Sequence, residues 1–220
     1  MSTLQHYDTD QYTFTRIDHH SDNEIYIGVH RTIPNTSYIF KYNNSVTNIG
    51  KEAEILNYLE ELGIPRIPVV CYHNIGKNIS PSGKIHNDLI IMTRIKGEVL
   101  NINNGTGNNI KHKSIEYKKR ILTSLITLVA ELHSHNIIYG DTYNGNVIID
   151  DSQVSLIDFD KSFFSDQVPE YFSEMIIERP ITSDIFCLQS LITDIFPNYK
   201  LADSHTRTLS DLLLLINGLE

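Results

Sequence analysis

The sequence predicts an α+β chain: an antiparallel sheet with one helix in its first part, and a mainly helical second part. Two observations carry this. Between residues 11 and 43, three short runs alternate aromatic or β-branched residues with polar ones, the period of half-buried strands. After residue 114, apolar residues recur at the three- and four-residue spacing of an amphipathic helix, in a run of some twenty residues.

Taken in order, QYTFTRI (Gln11 to Ile17), EIYIGVHR (Glu24 to Arg31) and SYIFKYN (Ser37 to Asn43) are strands joined by tight turns, an antiparallel meander. Asn48 to Leu62 is a helix, with Ile55, Leu59 and Leu62 on one line and Ala53 and Leu56 beside it; Gly63 and Pro65 end it. Ile67 to Tyr72 is a fourth strand, and Leu89 to Met92 a fifth. The polar stretch between them, Asn74 to Asn87, reads as an exposed hairpin loop. Asn101 to Lys113, rich in Asn and Gly, is a connector. Ser114 is placed to cap a helix over Ile115 to Ser134, with Tyr117, Ile121, Leu125, Leu128 and Leu132 as its buried stripe. Two strands follow around Val147 to Asp150 and Val154 to Ile157. A last helix covers Ser210 to Leu219.

Composition narrows the function classes. The chain has 220 residues, enough for a sizeable core, with 40% hydrophobic and 20% charged residues, an ordinary globular balance. A net charge of −9 does not favour general nucleic-acid binding. Two cysteines, Cys71 and Cys187, lie in apolar surroundings and read as core thiols of a reducing compartment. No metal-ligand cysteine spacing exists, and no His-Glu-x-x-His arrangement. No apolar run reaches the length of a membrane span. The polar, acidic start is unlike a signal peptide. A cytoplasmic protein is expected; nothing in the sequence fixes its oligomeric state.

The chemistry concentrates in ELHSHNIIYGDTYNGNVIIDDSQVSLIDFD, Glu131 to Asp160. Asp141 and Asn146 stand five apart in a loop, and Asp158 follows at the end of an apolar strand. Oxygen-bearing side chains at strand ends suit the holding of Mg²⁺ and of a phosphate acceptor. This stretch resembles the catalytic loop and metal-binding turn of the protein-kinase-like superfamily, His-[Arg/Gly]-Asp-x4-Asn followed by Asp-Phe-Gly. Here the pattern appears as Tyr139-Gly140-Asp141, Asn146 and Asp158-Phe159-Asp160. The Gly-Asp form is similar to atypical branches: aminoglycoside and choline phosphotransferases, lipopolysaccharide-core sugar kinases and the small kinase of the KEOPS complex. Ile157 to Lys161, IDFDK, is similar to the sugar-kinase version of the metal turn.

The resemblance implies the rest of the machinery. The fold would be bilobal and kinase-like: one domain over residues 1–220, with an N-lobe of about 11–95, a hinge of about 93–100 and a C-lobe of about 101–220. Asp141 would orient the acceptor hydroxyl and take its proton, while Asn146 and Asp158 hold magnesium. Lys41, at the end of the third strand, would contact the ATP phosphates and pair with Glu52 of the helix, for which Glu54 is the neighbouring competitor. Met92 would stand behind the adenine, and Thr93 and Ile95 would offer it backbone groups. Tyr139 would pack under the metal turn, and Asp184 would hold the catalytic-loop backbone. His133 reads as a helix-end packing residue.

One departure is plain. The turn from His20 to Glu24 stands where the superfamily has a glycine-rich phosphate loop, yet it has no glycine, and Asp22 and Glu24 would repel phosphate. The expected function is therefore an ATP- and Mg²⁺-dependent kinase, with a protein serine or threonine as first acceptor. The alternatives are a small-molecule, sugar-type kinase and a pseudokinase that binds without catalysis.

Overall fold

The computed structural model describes residues 8–17, 24–44, 46–102, 110–151, 153–168, 180–197 and 208–219. The chain divides into two compact units, Met1–Ile95 and Lys96–Glu220. The fold class is the α+β, kinase-like one that the sequence predicts.

The first unit is a five-stranded antiparallel sheet with one helix. Its strands are β1 (Tyr12–Arg16), β2 (Glu24–His30), β3 (Ser37–Asn43), β4 (Val70–Ile79) and β5 (Ile85–Thr93), in the spatial order β1-β2-β3-β5-β4. Alternation sorts the side chains. One face gathers Tyr12, Tyr26, Phe40, Tyr42, Leu89 and Ile91 into a buried cluster, with Phe14 edge-on to Phe40 at 4.9 Å. Lys41 lies between Phe40 and Tyr42 and so points the other way, toward α1 (Val46–Glu61). That helix buries Ala53, Ile55, Leu56 and Leu59. Gly63, with φ +73°, stops it. The Gly63 and Ile64 N–H groups turn back onto the Glu60 and Leu59 carbonyls at 2.9 and 3.0 Å, which satisfies the helix end. Leu62, expected on the buried line, falls beyond the last helical turn and is exposed.

The β4–β5 hairpin departs from the sequence expectation. The fourth strand does not end at Tyr72 but runs to Ile79, and the fifth begins at Ile85 rather than Leu89. The stretch from Asn74 to Asn87 is thus mostly ladder, with Ile79 opposite Ile85 and a tight turn through Pro81, Ser82 and Gly83. Its outward residues are polar or exposed isoleucines, so no alternation of burial marks it as a strand.

The reason for the long hairpin is Glu24. It is fully buried at the start of β2 and is not an exposed charge of the phosphate turn. Ser82 donates to both its oxygens at 2.9 Å, the Tyr26 hydroxyl donates at 3.1 Å, and Arg16 pairs with it at 3.1 Å. Lys84 and His86 stand at 3.6 and 3.4 Å. Burial opposes its charge, but hydrogen bonds from Ser80, Ser82 and Tyr26, with the Arg16 charge, outweigh it and hold the carboxyl at about 2. The hairpin tip is therefore tied across the sheet. The expected repulsion between Glu24 and phosphate is corrected by this network: the charge is already spent. Residues 18–23, the rest of that turn, lie outside the described residues.

The second unit is built on α2 (Ile115–Ser134), with β6 (Glu98–Val99), β7 (Ile137–Ile138), β8 (Val147–Asp150), β9 (Gln153–Leu156), β10 (Phe163–Phe164), α3 (Ile181–Ile195) and α4 (Leu209–Asn217). Ser114 caps α2 by accepting from the Tyr117 N–H at 3.2 Å. The buried face is wider than a single stripe: Leu122, Ile126 and Val129 are buried beside Ile121, Leu125, Leu128 and Leu132, while Tyr117 is only half-buried. Two small sheets, β6-β8-β9 and β10-β7, frame the loop that carries Asp141. Thr208 and Asp211 form a reciprocal capping box at the start of α4. Cys71 and Cys187 are both free thiols and half-buried rather than in the core. Much of the Asn101–Lys113 connector (103–109) and the segment after the metal turn (169–179) lie outside the described residues. No helix among the described residues is long and apolar enough to cross a membrane.

Candidate active site

In the first unit, β3 and α1 bring Lys41 and Glu52 together. Lys41 Nζ donates to Glu52 Oε2 at 2.9 Å, with the two side chains 6% and 1% exposed. Glu54, the competitor, points to solvent. A buried ion pair is no cheap source of stability, because desolvation cancels most of the attraction. Its worth lies in fixing one ammonium at one place, on the face of the sheet opposite the aromatic cluster.

At the end of β5, Met92 is buried and opposes Val70. Thr93 closes the ladder: its N–H donates to the Val69 carbonyl at 2.9 Å, and its hydroxyl accepts from the Val69 N–H at 2.9 Å. The expectation that Thr93 offers backbone groups to a base is thereby narrowed to its carbonyl, since the N–H is engaged. Ile95, two residues on, is half-buried.

The second unit holds the loop. Asp184, near the start of α3, is fully buried and receives four donors. The Tyr139 and Gly140 N–H groups donate at 2.9 and 2.8 Å, the Thr142 hydroxyl at 3.2 Å, and His133 Nε2 lies at 2.8 Å. One carboxylate thus fixes the backbone leading into Asp141 and ties it to the end of α2. Tyr139 is fully buried, stands edge-on to Phe159 at 5.0 Å and donates its hydroxyl to the Ile157 carbonyl. The loop and the metal turn are joined from below by this one side chain.

On the open side, Asp141 is 17% exposed. Asn146 Nδ2 donates to Asp141 Oδ2 at 2.9 Å and to the Asp141 carbonyl at 3.2 Å. Lys161 Nζ donates to Asp141 Oδ1, also at 2.9 Å. The hydrogen bond to Asp141 outweighs burial and holds the Lys161 ammonium above its usual range. In the sequence Lys161 is only the tail of IDFDK; the fold brings it onto Asp141. Gly140 has a role as well. Its φ is +78°, and a Cβ there would meet the Lys161 carbonyl at 2.9 Å, so only glycine lets the two backbones approach so closely.

Asn146 and Asp158 carry side-chain oxygens, the donor type that magnesium takes. Asn146 is buried and spends its amide nitrogen on Asp141, which leaves its side-chain oxygen. Asp158 sits in a left-handed conformation, φ +62°, at the turn after β9. Burial first, and then the charges of Asp141 and Asp158, push the Tyr143 phenol upward, with Lys161 opposing. Among the described residues no group of three or more His, Cys, Asp or Glu stands close enough together to hold a metal ion.

Comparison with known proteins places the chain in a family and a fold. The profile of the lipopolysaccharide kinase (Kdo/WaaP) family matches residues 11–169, well over half of the chain. A solved kinase of the Cydia pomonella granulovirus superposes with a TM-score of 0.64 at 15% identity, covering 93% of this chain and 78% of that one. At that identity the likeness speaks for the fold alone. No curated protein sequence matches the chain. With the loop, the paired lysine and glutamate and the family profile in one register, the chain belongs to the lipopolysaccharide kinase (Kdo/WaaP) family, an atypical branch of the protein-kinase-like superfamily, and is a kinase-type phosphotransferase.

Proposed function

We propose that the chain transfers the γ-phosphate of ATP to an alcohol, with a protein serine or threonine hydroxyl as acceptor. The observation that carries this is the setting of Asp141: a partly open carboxylate held at both oxygens by Asn146 and Lys161, on a loop fixed from beneath by Asp184. Residues 1–220 would act as one kinase domain, with 93–100 as its hinge and Met92, Thr93 and Ile95 toward the adenine. Lys41, steadied by Glu52, would bind the α- and β-phosphates.

In the transfer step the acceptor oxygen forms a bond to the γ-phosphorus as the bond to the β–γ bridging oxygen breaks. The electron pair leaves with ADP, and the acceptor proton passes to Asp141. Asn146 and Asp158 would hold Mg²⁺, which would supply positive charge against the phosphates. Asp141 needs only to orient the hydroxyl and receive one proton, for which a rotationally locked carboxylate is well suited. ATP dependence agrees with a cytoplasmic site of action.

A second acceptor, a sugar hydroxyl, is supported by the family profile and by IDFDK. Incubation of the protein with γ-labelled ATP and Mg²⁺, against a protein panel and a panel of sugar acceptors, separates the two. Label on serine or threonine of a protein supports the first; label confined to sugars replaces it with the second. A pseudokinase would label neither, and an absence of Mg²⁺-dependent thermal stabilisation by millimolar ATP would mark it further.

A further inference from the structure

We propose that Lys161 supplies the cation that the catalytic loop itself lacks, orienting Asp141 in the resting site and reaching the phosphoryl group during transfer. The inference rests on the phosphotransferase reading above and adds a residue to it.

Between Asp141 and Asn146 the loop reads Asp-Thr-Tyr-Asn-Gly-Asn, with no lysine or arginine. Transfer to a hydroxyl spreads charge over three equatorial phosphate oxygens, and a fixed cation beside the nucleophile stabilises it. The side chain two residues after Asp141 is the phenol of Tyr143, half exposed, which brings no charge. Lys161 arrives from elsewhere in the chain to stand 2.9 Å from Asp141 Oδ1.

Its backbone is unusually well placed for this. Asp158 turns the chain through a left-handed conformation. The Ser162 N–H then closes onto the Phe159 carbonyl at 3.1 Å, and the buried Ser162 hydroxyl donates to the Tyr139 carbonyl at 2.9 Å. Phe163 pairs with Ile138 in the β10–β7 ladder. The two residues after Lys161 are thus bound to the strand end that leads into Asp141, while the Lys161 side chain stays 54% exposed. One N–H of the ammonium is given to Asp141, and the side chain is more than half exposed. A purely structural ion pair at so exposed a place contributes little; the investment in backbone contacts around Lys161 has a better reason in the chemistry. The ammonium neither gains nor loses a proton in the step. It offsets charge on the transferred group and keeps the Asp141 carboxylate turned for the acceptor proton.

The test compares steady-state transfer by the full chain, wild type against Lys161→Met, Lys161→Arg and Lys161→Cys, the last before and after alkylation with 2-bromoethylamine. Removing one preorganised charge-stabilising donor costs on the order of 10²–10³-fold in kcat, with the KM for ATP within about threefold of wild type. Arginine should restore much of the loss, and aminoethylation of the cysteine should restore activity while the same treatment leaves wild type unchanged. Thermal unfolding of the variants separates folding from chemistry. Wild-type kcat in Lys161→Met, or a loss that neither arginine nor aminoethylation recovers, overturns the role of Lys161 and leaves the phosphotransferase reading standing. Absence of transfer by the wild type overturns both.

Discussion

Asp184 and Asp141 serve the same loop from opposite sides, and they differ in what their oxygens are left to do. Asp184 is fully buried and its carboxylate is saturated by two backbone N–H groups, a hydroxyl and His133. Asp141 is partly exposed, held by Asn146 and Lys161, and open toward solvent. A carboxylate with every lone pair engaged inside the protein is a fastener. One that is oriented but still reachable can take a proton from a substrate. The two would be indistinguishable as isolated letters in the sequence.

The comparison is sharpest under mutation. Asp141→Ala should lower the transfer rate by on the order of 10²–10⁴-fold, the usual worth of a positioned acid–base group, with the thermal midpoint close to wild type. Unchanged turnover in that variant would remove Asp141 from the chemistry. Asp184→Ala should do the reverse in kind: leaving several buried donors unmet costs about 3 kcal/mol of stability in denaturant unfolding, with activity lost alongside the fold of the loop. A stable but inactive Asp184→Ala would mean that the two sides of the loop are not divided as described.

Glu24 extends the comparison to the first unit, as a second saturated carboxylate. Its folded value of about 2 lies below the ordinary 4.5, so the unfolded chain binds the proton more readily between those two values. Its contribution is complete above about pH 4.5 and is lost as pH falls toward 2. Glu24→Gln should flatten that acid limb in a pH series of unfolding midpoints. The smallest effect is expected at the hairpin tip: Ser82→Ala removes one donor to Glu24 and should cost about 1 kcal/mol, with no change in kcat.

How much of this could be read beforehand follows from where each residue sits. The α2 helix, from its Ser114 cap to Ser134, was legible because cap, period and length agree. The Lys41–Glu52 contact was legible because a strand lysine and a helix glutamate appear in the superfamily's order, and the burial of Glu52 settles the choice against Glu54. The role of Glu24 was not legible. An acid next to Asp22 and Asn23 looks like a turn residue, and only the fold brings Ser82, 58 residues away, onto it. The β4–β5 ladder was hidden for a related reason: Ile75, Ile79 and Ile85 are exposed, so the period-two signal of burial is missing. Lys161 was in plain view as the end of a motif, but sequence distance says nothing about a contact made across 20 positions.

The most direct test of the central claim is label transfer from γ-labelled ATP by the wild-type chain and by Asp158→Asn, with Mg²⁺ present and then chelated. The expected result is transfer by the wild type that stops with chelation and falls at least about tenfold in the variant. Equal transfer by both proteins, or transfer indifferent to chelation, would contradict the account.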